Sequence, residues 1–391
     1  MARIELPADH HKHDLLSNPT FGTAPGRSRS GMNQDFVVVA LPARDEAERI
    51  GDCLLALAHQ TWRPHAVVVL ANNCSDGTPA IVSGMAPALP YRLDVECHDF
   101  PMQHANAGQA RRLAMALSEQ RVRPDGVLLT TDADAVAAPD WIERNCKAIA
   151  SGADVVCGRV VLHPSEAALI PAHLQADDAL ECRLIELLDR IADRLDPDPA
   201  DPLPRHTEAA GASLAVTPAA FRRGGGIPAL ASGEDRAFVR ALACIDARIR
   251  HDPSAVVSVS ARTIGRAPGG MADTIRRRMQ RQDEFTDDQV EPAVDAYRRY
   301  DFRGRLRRAW RKQSLPTELA IDLGVSPQLL DRMLAERYFG SAWACIEAAS
   351  PFLMRRRVRF SELQRQIDHA LHLLEHDGAS DLVCNLSGGA T

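Results

Sequence analysis

The 391-residue chain has no run close to the roughly 18 consecutive apolar residues that cross a bilayer; its best runs, 36–41 and 66–71, are only strand-sized. A soluble protein is expected. Paired cysteines are also missing. The nine cysteines are odd in number and scattered, with no C-x-x-C and no Cys/His cluster at zinc spacing, which excludes a disulfide framework and a structural zinc and suits a reducing cytoplasm. No apolar stretch sits between N-terminal charges and a cleavage site, so a secretory leader is not expected. Net positive charge is absent as well: 46 Lys+Arg stand against 52 Asp+Glu, a balance of −6 that argues against coating nucleic acid. With 45% hydrophobic and 25% charged residues, global disorder, collagen-like repetition and a coiled coil are poor readings.

What is present is enough chain for two domains, or for one with a substantial appendage. Residues 1–34, rich in Pro, Gly, Ser and His, read as a disordered tail; its histidine-rich stretch at 9–14 reads as solvated and not as a metal grip. From 36 onward apolar strands alternate with amphipathic helices. Strands are predicted at 36–41, 66–71, 92–97, 126–131 and 154–161, with helices at 50–58, from 79, and over 109–118 and 140–150. Such alternation predicts an α/β fold, a mostly parallel sheet with helices on both faces. Leu180, Leu184, Leu187, Leu188, Ile191 and Leu195 mark a further helix, halted by a Pro- and Asp-rich stretch at 196–204 that reads as a mobile loop. A glycine-rich turn at 224–226, a helix over 234–245 and two short strands at 248–250 and 255–260 follow. Beyond about 270 the pattern is helical, with breaks expected at Gly304, Pro316, Pro327 and Pro351. The domains are therefore read as 35–270 and a helical C-terminal region, 271–391.

In an open parallel sheet, ligands bind at the carboxyl ends of the strands. The informative polar residues sit there: Pro42, Arg44 and Glu46 after the first strand, Asn72 to Thr78 after the second, and Asp132-Ala133-Asp134 after the fourth. Two carboxylates two residues apart repel unless a cation lies beside them. Mg²⁺ or Mn²⁺, which take one or two carboxylates plus substrate phosphates, are the simplest partners and point to a nucleoside diphosphate. A D-x-D at a strand end is also a common solvated loop or helix cap. Gly108 ahead of a helix that carries Arg111 would present backbone donors and positive charge to a phosphate, or would simply be a capped helix start. Glu234-Asp235 opens a helix, where the macrodipole favours carboxylates.

Taken together, the 37–50 run, the Asn72–Thr78 turn, Gly108-Gln109-Ala110-Arg111, Thr131–Asp134 and Gly233-Glu234-Asp235 stand in an order and spacing that resembles the family-2 glycosyltransferases of the GT-A fold over about residues 36–265. That resemblance implies a Rossmann-like GT-A sheet and a nucleoside diphosphate sugar donor. Pro42, Arg44, Glu46, Asn72, Asp76, Gly108, Arg111 and Asp132 fall to the donor, and Asp134 to a Mn²⁺ or Mg²⁺ ion. Gly211, Ala212 and Ser213 fall on the side of a hydroxyl acceptor, and Glu234 and Asp235 to catalysis, with Asp235 as general base of an inverting transfer.

Two departures stand out. After the second strand the chain has Ala71-Asn72 where many relatives have a base-reading aspartate. After the last strand, where relatives often place a metal-ligating histidine, it runs to Arg262; either His251, at that strand's start, substitutes as the ligand, or Arg262 instead balances the diphosphate directly, a plain surface arginine being the other reading of it. Sugar nucleotidyltransferases share such a sheet but carry a glycine-rich loop after the first strand; here no glycine follows until Gly51.

The −6 also conceals a split. Between Arg298 and Lys312 eight basic residues face the single Asp301. This tract suggests a docking surface for an acidic partner, for an anionic membrane surface through Leu306 and Trp310, or for a second subunit in a homodimer. The 317–330 stretch has a helix-turn-helix rhythm, yet its second helix is too poor in cations for nucleic acid, and a packing hairpin is the ordinary reading.

Overall fold

The computed structural model describes residues 36–376 apart from 169, 264, 266–269, 282 and 313–316. The 1–34 tail with its histidine segment, and Pro316, lie outside the described residues.

Side chains on the first strand alternate between two cores, and that alternation builds the layers. The elements run β1 (Val37–Ala43), α1 (Ile50–Ala58), β2 (Ala66–Asn72), α2 (Thr78–Met85), β3 (Arg92–His98), α3 (Ala107–Glu119), β4 (Val127–Thr130), β5 (Val136–Ala137), α4 (Trp141–Ala150) and β6 (Val155–Leu162). Val37, Val39 and Leu41 of β1 join Ile50, Leu54 and Leu57 of α1 and Trp141, Ile142 and Ile149 of α4 in one core. Val38 and Ala40 face the other core, with Leu113, Ala114 and Leu117 of α3. Continuing, α5 (Pro164–Ala167), α6 (Ala172–Leu195), β7 (Leu214–Val216), α7 (Pro218–Arg223), α8 (Glu234–Cys244) and β8 (Ile249–Val259) complete the α/β part. Phe238 and Leu242 of α8 close the second core.

The sheet order is β3-β2-β1-β4-β7-β6-β8-β5, with β7 and β5 antiparallel to their neighbours and the rest parallel. Because β2, β1 and β4 are adjacent and parallel, their carboxyl ends open on one edge, which gathers the loops at 44–46, 73–77 and 131–135. The two strands expected at 248–250 and 255–260 are halves of one strand, β8, whose pairing with β6 jumps from Asp252 to Val256 opposite Gly158 and Arg159.

The remaining helices are α9 (Met271–Gln280), α10 (Ala293–Lys312), α11 (Thr317–Asp322), α12 (Pro327–Leu334), α13 (Phe339–Ala349) and α14 (Leu363–Glu375). α6 begins eight residues before its predicted start and buries Leu184, Leu187 and Ile191 against α10 and α14. No break occurs at Gly304. α10 continues through it, because a side chain there would overlap the carbonyl oxygen of Leu195 at the end of α6, so this glycine is a close-packing point. The 196–204 stretch has no regular structure, as expected, but is tied down: Arg303 and Arg307 bond the buried Asp196, and Asp201 is held by His251 and Arg250.

Half of the basic tract is spent inside the molecule, whereas Arg308, Arg311 and Lys312 stay exposed. Arg299 is buried against Glu291 and Glu347, Arg303 and Arg307 take Asp196, and Arg305 meets Asp301 and Asp322. The proposed interfacial pair fails with it: Leu306 is fully buried, and Trp310 packs against Phe339. α11 and α12 form the expected hairpin, with Leu319, Leu323, Leu330 and Leu334 packed on α13. α13 in turn docks on the end of α8, where Asp246 accepts from the amides of Phe339 and Gly340 at 2.8 and 2.7 Å. Among the described residues no helix is long and apolar enough to cross a membrane.

Candidate active site

The carboxyl edge of the sheet opens into a cleft of about 1410 Å³, bordered by Pro42, Arg44, Glu46, Asn72, Asp132, Asp134, Gly211, Glu234, Asp235 and Arg262. Four of these are carboxylates from the loop after β4 and from α8, and two arginines hold most of them in place.

Arg111, in the second turn of α3, is buried and has every nitrogen engaged. Nε donates to Glu234 at 2.9 Å, Nη2 to Asp132 at 2.7 Å, and Nη1 to the Thr130 hydroxyl and the Gly211 carbonyl, both at 2.9 Å. One guanidinium thus ties the D-x-D loop to the start of α8. Its fork suits such a bridge, and its desolvation is offset by two carboxylates and two neutral acceptors. Four of its five N–H donors are thereby committed, and one N–H of Nη2 remains for a donor phosphate.

Arg262 is the second clamp. It meets Glu46 through two bonds of 2.8 and 2.6 Å and stands 3.2 Å from Asp134. Burial first, and the neighbouring Asp132 second, push the Asp134 carboxyl up to about 6, against the lowering influence of Arg262.

Asp235 lies across from this group. Its Oδ2 accepts the Gly211 amide at 2.8 Å, which fixes the carboxylate at the cleft wall. Glu234, beside it, is buried and given over to Arg111, so its place is structural. α8 starts from Gly233 in the left-handed conformation (φ 71°) without a side-chain cap, and the Arg236 amide in its first turn donates to Asp235 Oδ1 at 2.7 Å.

Several sequence expectations shift. Asp76 does not border the cleft; its oxygens accept the Thr78 amide and hydroxyl and the Ala47 amide at 2.9, 2.5 and 3.0 Å, which staples the β2 turn to the β1 loop. Gly108 does not itself border the cleft, although its neighbours Asn106 and Ala107 do. A side chain at Gly108 would overlap the Leu230 carbonyl, and α3 is already capped by Asn106, whose side chain accepts the Gln109 amide. Gly211 borders the cleft, and a side chain there would overlap the Arg111 guanidinium. Ser213 is fully buried, with its hydroxyl between Trp141 Nε1 and the Ala255 carbonyl, and Ala212 belongs to the core.

His251 is committed elsewhere: its amide and Nδ1 bond Asp201 at 2.8 and 2.7 Å. Arg44 keeps a place on the rim, where it donates to the Ala105 carbonyl. Among the described residues, the three side chains that converge closely enough to share one ion are Asp45, Cys74 and Asp76, but the oxygens of Asp45 and Asp76 already accept turn amides and hydroxyls.

Sequence reasoning overlooked two supports. Thr130 completes the Arg111 shell, and Glu166 in α5 accepts from Ser260 Oγ and the Ala261 amide at 2.9 and 2.8 Å while gripping Arg49, fixing the segment that carries Arg262. A lone glutamate in a short helix gave no signal of that.

Residues 38–201 match the model of glycosyl transferase family 2. Glycosyltransferase AglE of Haloferax volcanii is 30% identical over 128 residues, which make up 32% of this chain and 39% of that protein; the alignment thus spans well under half of the relative. Among solved structures, S. aureus TarS 1–349 in complex with UDP-GlcNAc aligns over 86% of this chain and 89% of its own at 16% identity and a TM-score of 0.43. The mannosyltransferase PcManGT from Pyrobaculum calidifontis, in complex with GDP-Man and Mn²⁺, aligns over 90% and 79% at 17% identity and a TM-score of 0.41.

Proposed function

From the match of residues 38–201 to the model of glycosyl transferase family 2 we propose that the chain moves a glycosyl group from a nucleoside diphosphate sugar to an acceptor hydroxyl. The observation that carries this reading is one cleft in which the Asp132–Asp134 loop and Asp235 are brought together, bridged through Arg111, Glu234 and Gly211.

The residues fit a divalent ion. Asp134 and Asp132 offer hard oxygens two residues apart at a strand end, the donor type such an ion takes. These two aspartates would hold Mg²⁺ or Mn²⁺ together with donor phosphates, and the bound ion would neutralise charge on the leaving diphosphate. Pro42, Arg44, Glu46 and Asn72 form the wall for the nucleoside. Asp235 takes the acceptor hydroxyl proton as the oxygen bonds to the anomeric carbon. The bond from that carbon to the diphosphate oxygen breaks, and its electron pair leaves with the nucleoside diphosphate. Attack opposite the leaving group inverts the anomeric centre. Gly211 holds Asp235 in register, and Arg111 keeps Asp132 and Glu234 from drifting apart.

A thermal-shift panel of UDP, GDP and their sugars, with and without Mn²⁺, tests the reading. One nucleotide series should raise the melting temperature, and more so with Mn²⁺; no shift from any of them counts against it.

A further inference from the structure

The two arginines of the cleft are not equivalent. Arg111 is buried and has all its nitrogens in fixed bonds. Arg262 is partly exposed and has a strong anchor on one side only: both terminal nitrogens meet Glu46 at 2.6 and 2.8 Å, whereas a single 3.2 Å contact reaches Asp134. Its backbone is fixed, since Glu166 holds Ser260 and Ala261 and the Arg262 amide donates to Ser260 Oγ at 3.1 Å. The root is therefore rigid, the Glu46 end is a pivot, and the Asp134 end is the weak link.

Resting on the reading above, we propose that Arg262 is an exchangeable counter-cation: its guanidinium and a divalent ion are alternative partners of Asp134, and when donor and ion enter together Arg262 gives up Asp134 and turns to the diphosphate, pivoting on Glu46. Three physical facts favour this. Asp134 Oδ2, the oxygen nearest Arg262, is one an ion would need. Two cations cannot share it without mutual repulsion. A guanidinium anchored through one edge keeps N–H groups that match phosphate oxygens in fork geometry. The protein thus places a positive group of its own where the leaving diphosphate gathers charge, and without the donor that group screens the acidic pocket.

The test is donor-free Mn²⁺ affinity, read from the electron paramagnetic resonance signal of free Mn²⁺, for the full chain as wild type, D134N, R262Q, R262K and R262Q/D134N. R262Q should bind Mn²⁺ about tenfold more tightly than wild type, at the lower end of what removing one close charge does to a carboxylate equilibrium. In the presence of Mn²⁺ the same variant should bind UDP or GDP more weakly. R262Q/D134N should lose the gain. Equal or weaker Mn²⁺ binding by R262Q, with binding still abolished by D134N, would overturn the exchange while leaving Asp134 as the ion's ligand. Mn²⁺ binding indifferent to D134N would remove the ion site itself, and the exchange with it. Should R262Q melt early, R262K decides: it keeps the charge but not the two-point hold on Glu46, and tighter Mn²⁺ binding supports the proposal where equal or weaker binding overturns it.

Discussion

The Gly211 amide donates to Oδ2 of Asp235 at 2.8 Å, while the Gly211 carbonyl accepts from Arg111. One residue thereby sets the position of the proposed base and of the arginine that ties Glu234 to Asp132. An asparagine at 235 can still accept that amide through its carbonyl oxygen but cannot take a proton. Asp235→Asn should therefore lower kcat by about 10²–10⁴-fold, the usual contribution of general base catalysis, with donor binding unchanged. Turnover is read as nucleoside diphosphate release, and near-normal turnover would remove Asp235 from its role.

Removal of the Arg111 guanidinium leaves Asp132 and buried Glu234 facing one another without a cation. Arg111→Met should cost about 3–5 kcal/mol of stability in denaturant titration, because breaking one side of a buried ion pair strands the other. Arg111→Lys retains charge but cannot reach four acceptors. It should recover part of that stability and little of the activity.

At Gly304 two rules oppose each other. Alanine is favoured over glycine inside a helix by about 1 kcal/mol, yet a side chain at this position overlaps the Leu195 carbonyl of α6. Overpacking against backbone has no flexible neighbour to yield, so Gly304→Ala should lose a net of about 1–3 kcal/mol. A gain in melting temperature would show that α6 and α10 can separate there without cost.

His251 gives the fold an alkaline dependence. Burial alone would lower its pKa, but the Cys157 sulfur, as thiolate and hydrogen-bond acceptor, and the Asp201 carboxylate outweigh burial and raise it to about 10; His206 lies edge-on at 5.7 Å, and Asp189 also acts on the cluster. The folded pKa lies above the unfolded value of about 6.5. The contribution to stability is thus complete below about 6.5 and is lost as pH rises toward 10. Denaturant midpoints of wild type should fall across that window, and His251→Gln should flatten the fall. An unchanged slope would mean that the Asp201 contact does not depend on the ring's charge.

The strands and their helices were legible because buried parallel strands are nearly continuous apolar runs, and because β1, β2 and β4 end in the polar loops that any open sheet turns toward its ligand. The Asp132–Asp134 and Glu234–Asp235 pairs could be found for the same reason. Arg111 was visible only as a cation on a helix. Its partners Asp132, Gly211 and Glu234 lie 21, 100 and 123 residues away, and no local pattern encodes contacts of that range.

The basic tract misled for a related reason. A charge count sees eight cations but not Asp196, Glu291 and Glu347, the carboxylates that absorb three of them, Arg299, Arg303 and Arg307. Gly304 read as a helix breaker because its local propensity was visible, whereas the passing end of α6 was not. His251 looked like a free ligand until Asp201, fifty residues earlier, closed on it.

Calorimetric titration of UDP and GDP into wild type and Asp134→Ala, each with and without Mn²⁺, tests the central claim most directly. The account predicts that one of the two nucleotides binds wild type, that Mn²⁺ tightens this binding by about tenfold or more as a bridging cation should, and that Asp134→Ala abolishes the Mn²⁺ effect. Failure of both nucleotides to bind wild type in the presence of Mn²⁺, or equal Mn²⁺-dependent binding by Asp134→Ala, would contradict it.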